Sequence, residues 1–172
     1  PLVQTAINLR QLAQRSNNLE KRGQPRNTEA TLNFFSKFFA ELRKPSVNYL
    51  MACLAENSFS SVRIGAVKAM SKAYMAQHRG VPIERVQHVL GMDSAEQVVA
   101  MATHLGLELE YEGDAPVAVK IHRSATINED KPLATPFSTT IVEAKRGSYT
   151  SADVVDGRAS GARTQVGAQG PT

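Results

Sequence analysis

Tryptophan is absent from the 172 residues, and aromatics make up only 6% of them. A hydrophobic core must therefore rest on Leu, Val, Ala, Met and a few Phe, which the 42% apolar content can supply. There is one cysteine, Cys53, which excludes an intrachain disulfide framework and a Cys-clustered zinc site. Such sparing use of cysteine fits a reducing compartment, cytosol or nucleus. No apolar run approaches the roughly 20 residues that a membrane-spanning helix requires, so no membrane partner is expected. Acids are scarce at the front: residues 1–80 hold twelve Lys/Arg against Glu20, Glu29, Glu41 and Glu56. The balance inverts over residues 81–114, where Arg85 alone faces seven acids, and the whole chain comes to +4. A basic front beside an acidic unit suits a polyanionic or acidic partner at the front, although ordinary solvated helix faces account for such a pattern equally well. Pro1 is not an initiator Met and no basic-then-apolar segment follows it, so a fragment or processed product is expected.

What is present is helical periodicity. Val3 to Leu19 carries Val3, Ala6, Ile7, Leu9, Leu12 and Ala13 at helical spacing. The run Lys21–Asn27, with Gly23 and Pro25, reads as an exposed loop, and Asn27 or Thr28 can cap the next helix. Leu32, Phe35, Phe38, Phe39 and Leu42 form a heavy apolar stripe that Lys44-Pro45 terminates. Pro45 or Ser46 opens a short helix with Val47, Leu50, Met51 and Leu54 inward, ending near Glu56. Ser60 can cap a further helix to about His78, with Val62, Ala66, Val67, Met70, Ala73 and Tyr74 inward and Arg63, Lys68, Lys72 and Arg79 on its other sides. Successive amphipathic helices with short connections imply antiparallel layers over residues 1–80.

The pattern changes over residues 81–123. Pro82 suits a helix start, and Ile83, Val86, Val89 and Leu90 give one short helix closed by Gly91. Ser94 and Gln97 have capping-box spacing, opening a second helix with Val98, Met101, Ala102 and Leu105 inside and Gly106 at its end. Leu107–Tyr111 and Val117–His122 alternate apolar and polar around Gly113-Asp114, which predicts a hairpin. Two short helices followed by a hairpin have the layout of a winged helix. Residues 124–147 read as a closing segment with an extended piece at Ser138–Ala144, and the small polar residues of 148–172 as a structureless tail or linker. The expected class is mainly α: helical repeat layers followed by a winged helix.

Catalytic chemistry needs converging groups, and none are evident. His78, His88, His104 and His122 have no partner at metal-ligand spacing, Cys53 sits on an apolar helix face, and no Gly-rich phosphate loop occurs. No catalytic residue, metal or cofactor is expected. The second helix of the winged layout would enter the major groove in a DNA reader, yet Ser94–Leu105 contains no Lys or Arg. Base reading is therefore disfavoured. The candidates for sequence-independent phosphate contact are Lys68, Lys72 and Arg79 on the preceding helix, and Lys120, His122 and Arg123 on the wing. The apolar row of the hairpin, Leu107, Leu109, Tyr111, Val117, Val119 and Ile121, is the candidate protein interface, through packing or strand addition.

Several blocks follow one another in a familiar order. Asn33–Phe39, Tyr49–Glu56, Phe59–Arg63 and Ala66–Tyr74 are followed by Val81-Pro-Ile83, Leu90–Ser94 and His104–Leu107, then Lys131-Pro-Leu133 and Ile141–Arg146. Together they resemble the GANP family of PCI-domain proteins, which includes the yeast Sac-type mRNA-export scaffolds, over about residues 30–147. The resemblance implies the C-terminal part of a PCI domain in a nuclear transcription-and-export assembly of the TREX-two type at the nuclear pore. It implies a second PCI subunit packed on the winged helix, and a small acidic Dss/Sem-type protein nearby. RNA or DNA bound without sequence preference remains a further expectation. Splicing and elongation branches of the family stay open, as does a proteasome-lid or initiation-factor PCI subunit, for which a cytoplasmic location would be natural.

Overall fold

The computed structural model describes residues 2–17, 34–73, 80–122, 126–128, 133–134 and 136–156. Among the described residues four helices come first: α1 (Leu2–Asn17), α2 (Phe34–Leu42), α3 (Tyr49–Glu56) and α4 (Phe59–Ala73). Then follow β1 (Val81–Pro82), α5 (Ile83–Leu90), α6 (Ala95–His104), β2 (Glu108–Glu112) and β3 (Ala115–Lys120). A 3-10 turn at Glu143–Lys145 and the short α7 (Ser151–Val155) close the described chain. Among the described residues the fold is mainly helical with one antiparallel sheet, ordered β1-β3-β2. The expected loop at 21–27 and its caps lie outside the described residues.

α2 is the centre of the molecule. Phe38 and Phe39 point about 100° apart on a helix, yet both are fully buried, which requires cover on more than one side. α1 and α4 pack against α2, and α5 does so from the second unit. Phe59, the first residue of α4, joins the two rings in a cluster of edge-to-face contacts with centroids 5.1, 5.2 and 6.0 Å apart.

Some local expectations need correction. α3 begins at Tyr49, because the Asn48 side chain accepts the Met51 N–H at 2.9 Å and so caps the helix, in place of Pro45 or Ser46. Fixing the start there turns Ala52 inward and leaves Leu50 and Leu54 exposed. α4 starts at Phe59, before Ser60, with the Ser58 carbonyl accepting from Val62. On α1 the buried face is Leu9 and Ala13, while Val3 and Ile7 face outward. Gln97 accepts the N–H of Asp93, and Ser94 makes no side-chain cap, so the capping box is only half formed and shifted by one residue.

The hairpin has a bulge that reassigns its faces. Glu110 pairs with Ala118 and Tyr111 with Pro116, leaving Val117 without an opposite residue. Simple alternation would put Val117, Val119 and Ile121 on one buried face. The extra residue instead leaves Val117 exposed while Val119 and Ile121 stay buried. Ala118, one position from Val119, is buried as well because Gly80 lies on it: a Cβ at Gly80 would meet the Ala118 Cβ at 2.7 Å.

Ser138–Ala144 is not extended. Ser138 O accepts the N–H groups of Val142 and Glu143, and Thr139 O that of Ala144, so the segment coils into the 3-10 turn. Its β-branched residues suggested a strand, and hydrogen bonds from the rest of the fold override that preference. Beyond it, Thr150 and Asp153 form a reciprocal capping box at the start of α7, where a structureless tail was expected.

Candidate functional site

The joint between the helical layers and the sheet-bearing unit is the most organised polar region among the described residues. Arg63, expected on an outer helix face, is only 2% exposed. Its Nε donates to Leu90 O at 3.1 Å and its Nη2 to Gly91 O at 2.6 Å. These carbonyls end α5, where the unpaired C=O groups of a helix concentrate negative partial charge. The guanidinium also sits over the Phe59 and Phe39 rings, at 5.1 and 5.7 Å. Burial pushes its pKa down to about 10, with Asp93 and Glu56 acting in the opposite sense, so it stays charged at neutral pH.

Gly91 is required at this joint for two reasons. Its φ of +58° ends α5 in the left-handed region, and a Cβ there would lie 2.5 Å from Phe39 Cδ1 and 2.6 Å from Ile141 Cδ1. The closing segment binds both units at once. The Asp93 carboxylate accepts the amides of Thr139 and Thr140 at 2.6 and 3.1 Å, and the hydroxyls of Ser138, Thr139 and Thr140. Burial tends to raise the Asp93 pKa, but these hydrogen bonds win and hold it below the ordinary carboxylate range. From the helical layers, Glu56 accepts the Ser138 amide at 2.6 Å, and Tyr49 donates to Glu143 at 2.9 Å. Lys145 donates to the carbonyls of Lys44 and Val47 at 2.9 and 3.0 Å. Burial pushes the Cys53 thiol up, away from the thiolate a nucleophile needs. Among the described residues, no group of three His, Cys, Asp or Glu could hold a metal.

The candidate phosphate contacts fall in two places. Lys68 is half-buried and Lys72 exposed, one turn apart on α4. Lys120 faces Glu108 across the hairpin, Nζ to Oε2 3.2 Å, and His122 is half-buried just after β3. Arg79 and Arg123 lie outside the described residues. Of the candidate protein interface, Leu107, Val119 and Ile121 are buried in the chain's own core and Leu109 is half-buried. Only Tyr111 (59%) and Val117 (40%) offer substantial exposed surface, near the hairpin turn. β2 lies at the edge of the sheet, carrying Glu108, Glu110 and Glu112. Sequence reasoning missed Arg63, Asp93 and the residues of the closing turn. The available signal was a lone Arg within the apolar row Val62, Ala66, Val67 and Met70.

Comparison with known proteins identifies the class. The family model described as the SAC3/GANP family matches residues 1–111, which takes in the helical layers, α5, α6 and most of β2. A curated relative, "SAC3 family protein 1" of Schizosaccharomyces pombe, is 38% identical over 156 residues, covering 90% of this chain and 15% of its own length. No solved structure matches. The chain belongs to the SAC3/GANP family, and it spans about 15% of the length of that relative.

Proposed function

We propose that this chain is a non-catalytic scaffold segment of a nuclear mRNA-export assembly of the TREX-two type, in which residues 81–123 form a winged helix that packs on a second PCI subunit. Membership of the SAC3/GANP family carries the reading. The geometry is compatible with it: α5, α6 and the β2–β3 hairpin follow the order of a winged helix, and β1 supplies the usual third strand. The layers of residues 1–80 are then the C-terminal part of the PCI helical repeat. α6 carries no Lys or Arg and places the exposed Glu96 at its first turn, so its outer face suits protein contact better than a base edge. Tyr111 and Val117 are exposed apolar groups at the end of the hairpin, of the kind that anchor interfaces.

A second, compatible activity rests on the basic front: RNA or DNA held without sequence preference by Lys68, Lys72 and Arg79, with Lys120, His122 and Arg123 contributing from the wing. The small acidic Dss/Sem-type protein is the natural third component, and the nuclear pore the natural location. Affinity purification of the parent protein, with its stable partners identified by mass spectrometry, tests the proposal. A second PCI subunit and export factors are the expected finding. Proteasome-lid or initiation-factor subunits would replace the assembly and move it to the cytoplasm, and splicing or elongation factors would place the chain in another branch of the family.

A further inference from the structure

The hydroxyls held by Asp93 are positioned for chemistry of their own. Ser138 is buried, but Thr139 and Thr140 are exposed, and both donate to the Asp93 carboxylate. Thr140 is followed three residues later by Glu143. An acid at that offset is what acid-directed Ser/Thr kinases read beside their acceptor hydroxyl. The preceding Pro136 and Phe137 are exposed and free of helix or strand, whereas Thr140–Glu143 is coiled, so the kinase captures this segment in its opened state.

We propose that Thr140 is a phosphorylation site whose modification releases the closing segment from Asp93. In the step, the γ-phosphoryl group of ATP passes to Thr140 Oγ1. A P–O bond forms as the bond to the β-phosphate oxygen breaks, ADP leaves, and the hydroxyl proton goes to the kinase's base. The product carries a charge of about −2 where a neutral hydroxyl had donated to a carboxylate. Asp93, which holds the amides of Thr139 and Thr140, faces it directly, and Glu56 holds the amide of Ser138 two residues away. The phosphate repels Asp93 and competes with it for the same amides. The nearby guanidinium of Arg63 is buried and already committed to Leu90 and Gly91, so it does not offset the new charge. Ile141 and Val142, both buried, follow directly on Thr140 and lose their anchor. The joint between the two units loosens, and with it the surface they jointly present.

The test uses the full 172-residue chain with an acid-directed kinase and magnesium-ATP, followed by site mapping by mass spectrometry. Phosphate at Thr140 is expected, alongside any at Thr126 or Thr150, which have acids at the same offset; it should be absent from Thr140→Val and strongly reduced in Glu143→Gln, which keeps an acceptor for Tyr49. In the phosphorylated wild-type chain, amide exchange over 138–145 should rise by about tenfold or more, with α1 unchanged. Thr140→Val, which loses one hydroxyl and gains no charge, should show a smaller rise. A chain left unphosphorylated at Thr140 overturns the proposal. So does a Thr140-phosphorylated chain whose exchange over 138–145 matches the unmodified one.

Discussion

Replacing Arg63 with Met isolates the contribution of the guanidinium, because Met keeps much of the stem's volume in contact with Phe39 and Phe59. Two buried carbonyls, Leu90 O and Gly91 O, lose their donor. Hydrogen bonds to a charged group contribute about 1.5–3 kcal/mol each. Two such bonds and the ring contacts set an upper range, from which the relief of no longer burying a charge must be subtracted. The expected loss is about 3–5 kcal/mol, a large part of the roughly 5–15 kcal/mol that holds a domain folded. Arg63→Lys should fall between wild type and Met, since a point charge cannot span both carbonyls as a planar fork does. Urea titration followed by far-ultraviolet circular dichroism measures both variants. A loss below about 1 kcal/mol for Arg63→Met would show that α5 needs no cap from α4 and that this account of the joint is wrong.

Gly91→Ala should cost about 2–4 kcal/mol, because it strains a left-handed residue and drives a methyl group into Phe39 and Ile141; an unchanged melting temperature would contradict the packing described. Phe38→Ala should cost about 3–5 kcal/mol in the same assay, as expected of a fully buried ring in an aromatic cluster, and a near-zero effect would mean that α2 faces outward. The depressed pKa of Asp93 means that its stabilisation is present above the unfolded carboxylate value of about 3.9 and is lost as pH falls through the lower folded value. Melting temperature measured between neutral and strongly acidic pH should therefore fall less steeply below about pH 4 in Asp93→Asn than in wild type.

The helices and the hairpin were legible because each carries its own period and punctuation: the Phe stripe of α2, Gly91 and Gly106 after α5 and α6, and Gly113 in the hairpin turn. The features that escaped are set by partners distant in sequence. Arg63 is charged and sits in a helix, which favours an outer face until the carbonyls of Leu90 and Gly91 enter the account. Ser138–Ala144 has strand-like residues, and its coiled form depends on Asp93, some 45 residues earlier. One bulge beside Val117 moved a single side chain from the expected buried row to the surface, an effect that simple alternation cannot express. The candidate protein interface shrank for a related reason: three of its members, Leu107, Val119 and Ile121, are residues this small unit needs for its own core.

The pairing role of the sheet-bearing unit is the central functional claim, and Tyr111 and Val117 give direct access to it. Both side chains are exposed, so changing them to Glu together should leave the melting temperature close to that of the wild-type chain. Calorimetric titration of the double variant against the proposed PCI partner measures what they contribute to binding. If the hairpin is the anchor, affinity should fall by about 30-fold or more, corresponding to a loss of at least about 2 kcal/mol at an interface centre. Wild-type affinity in a folded double variant would contradict the claim and place the partner on another surface.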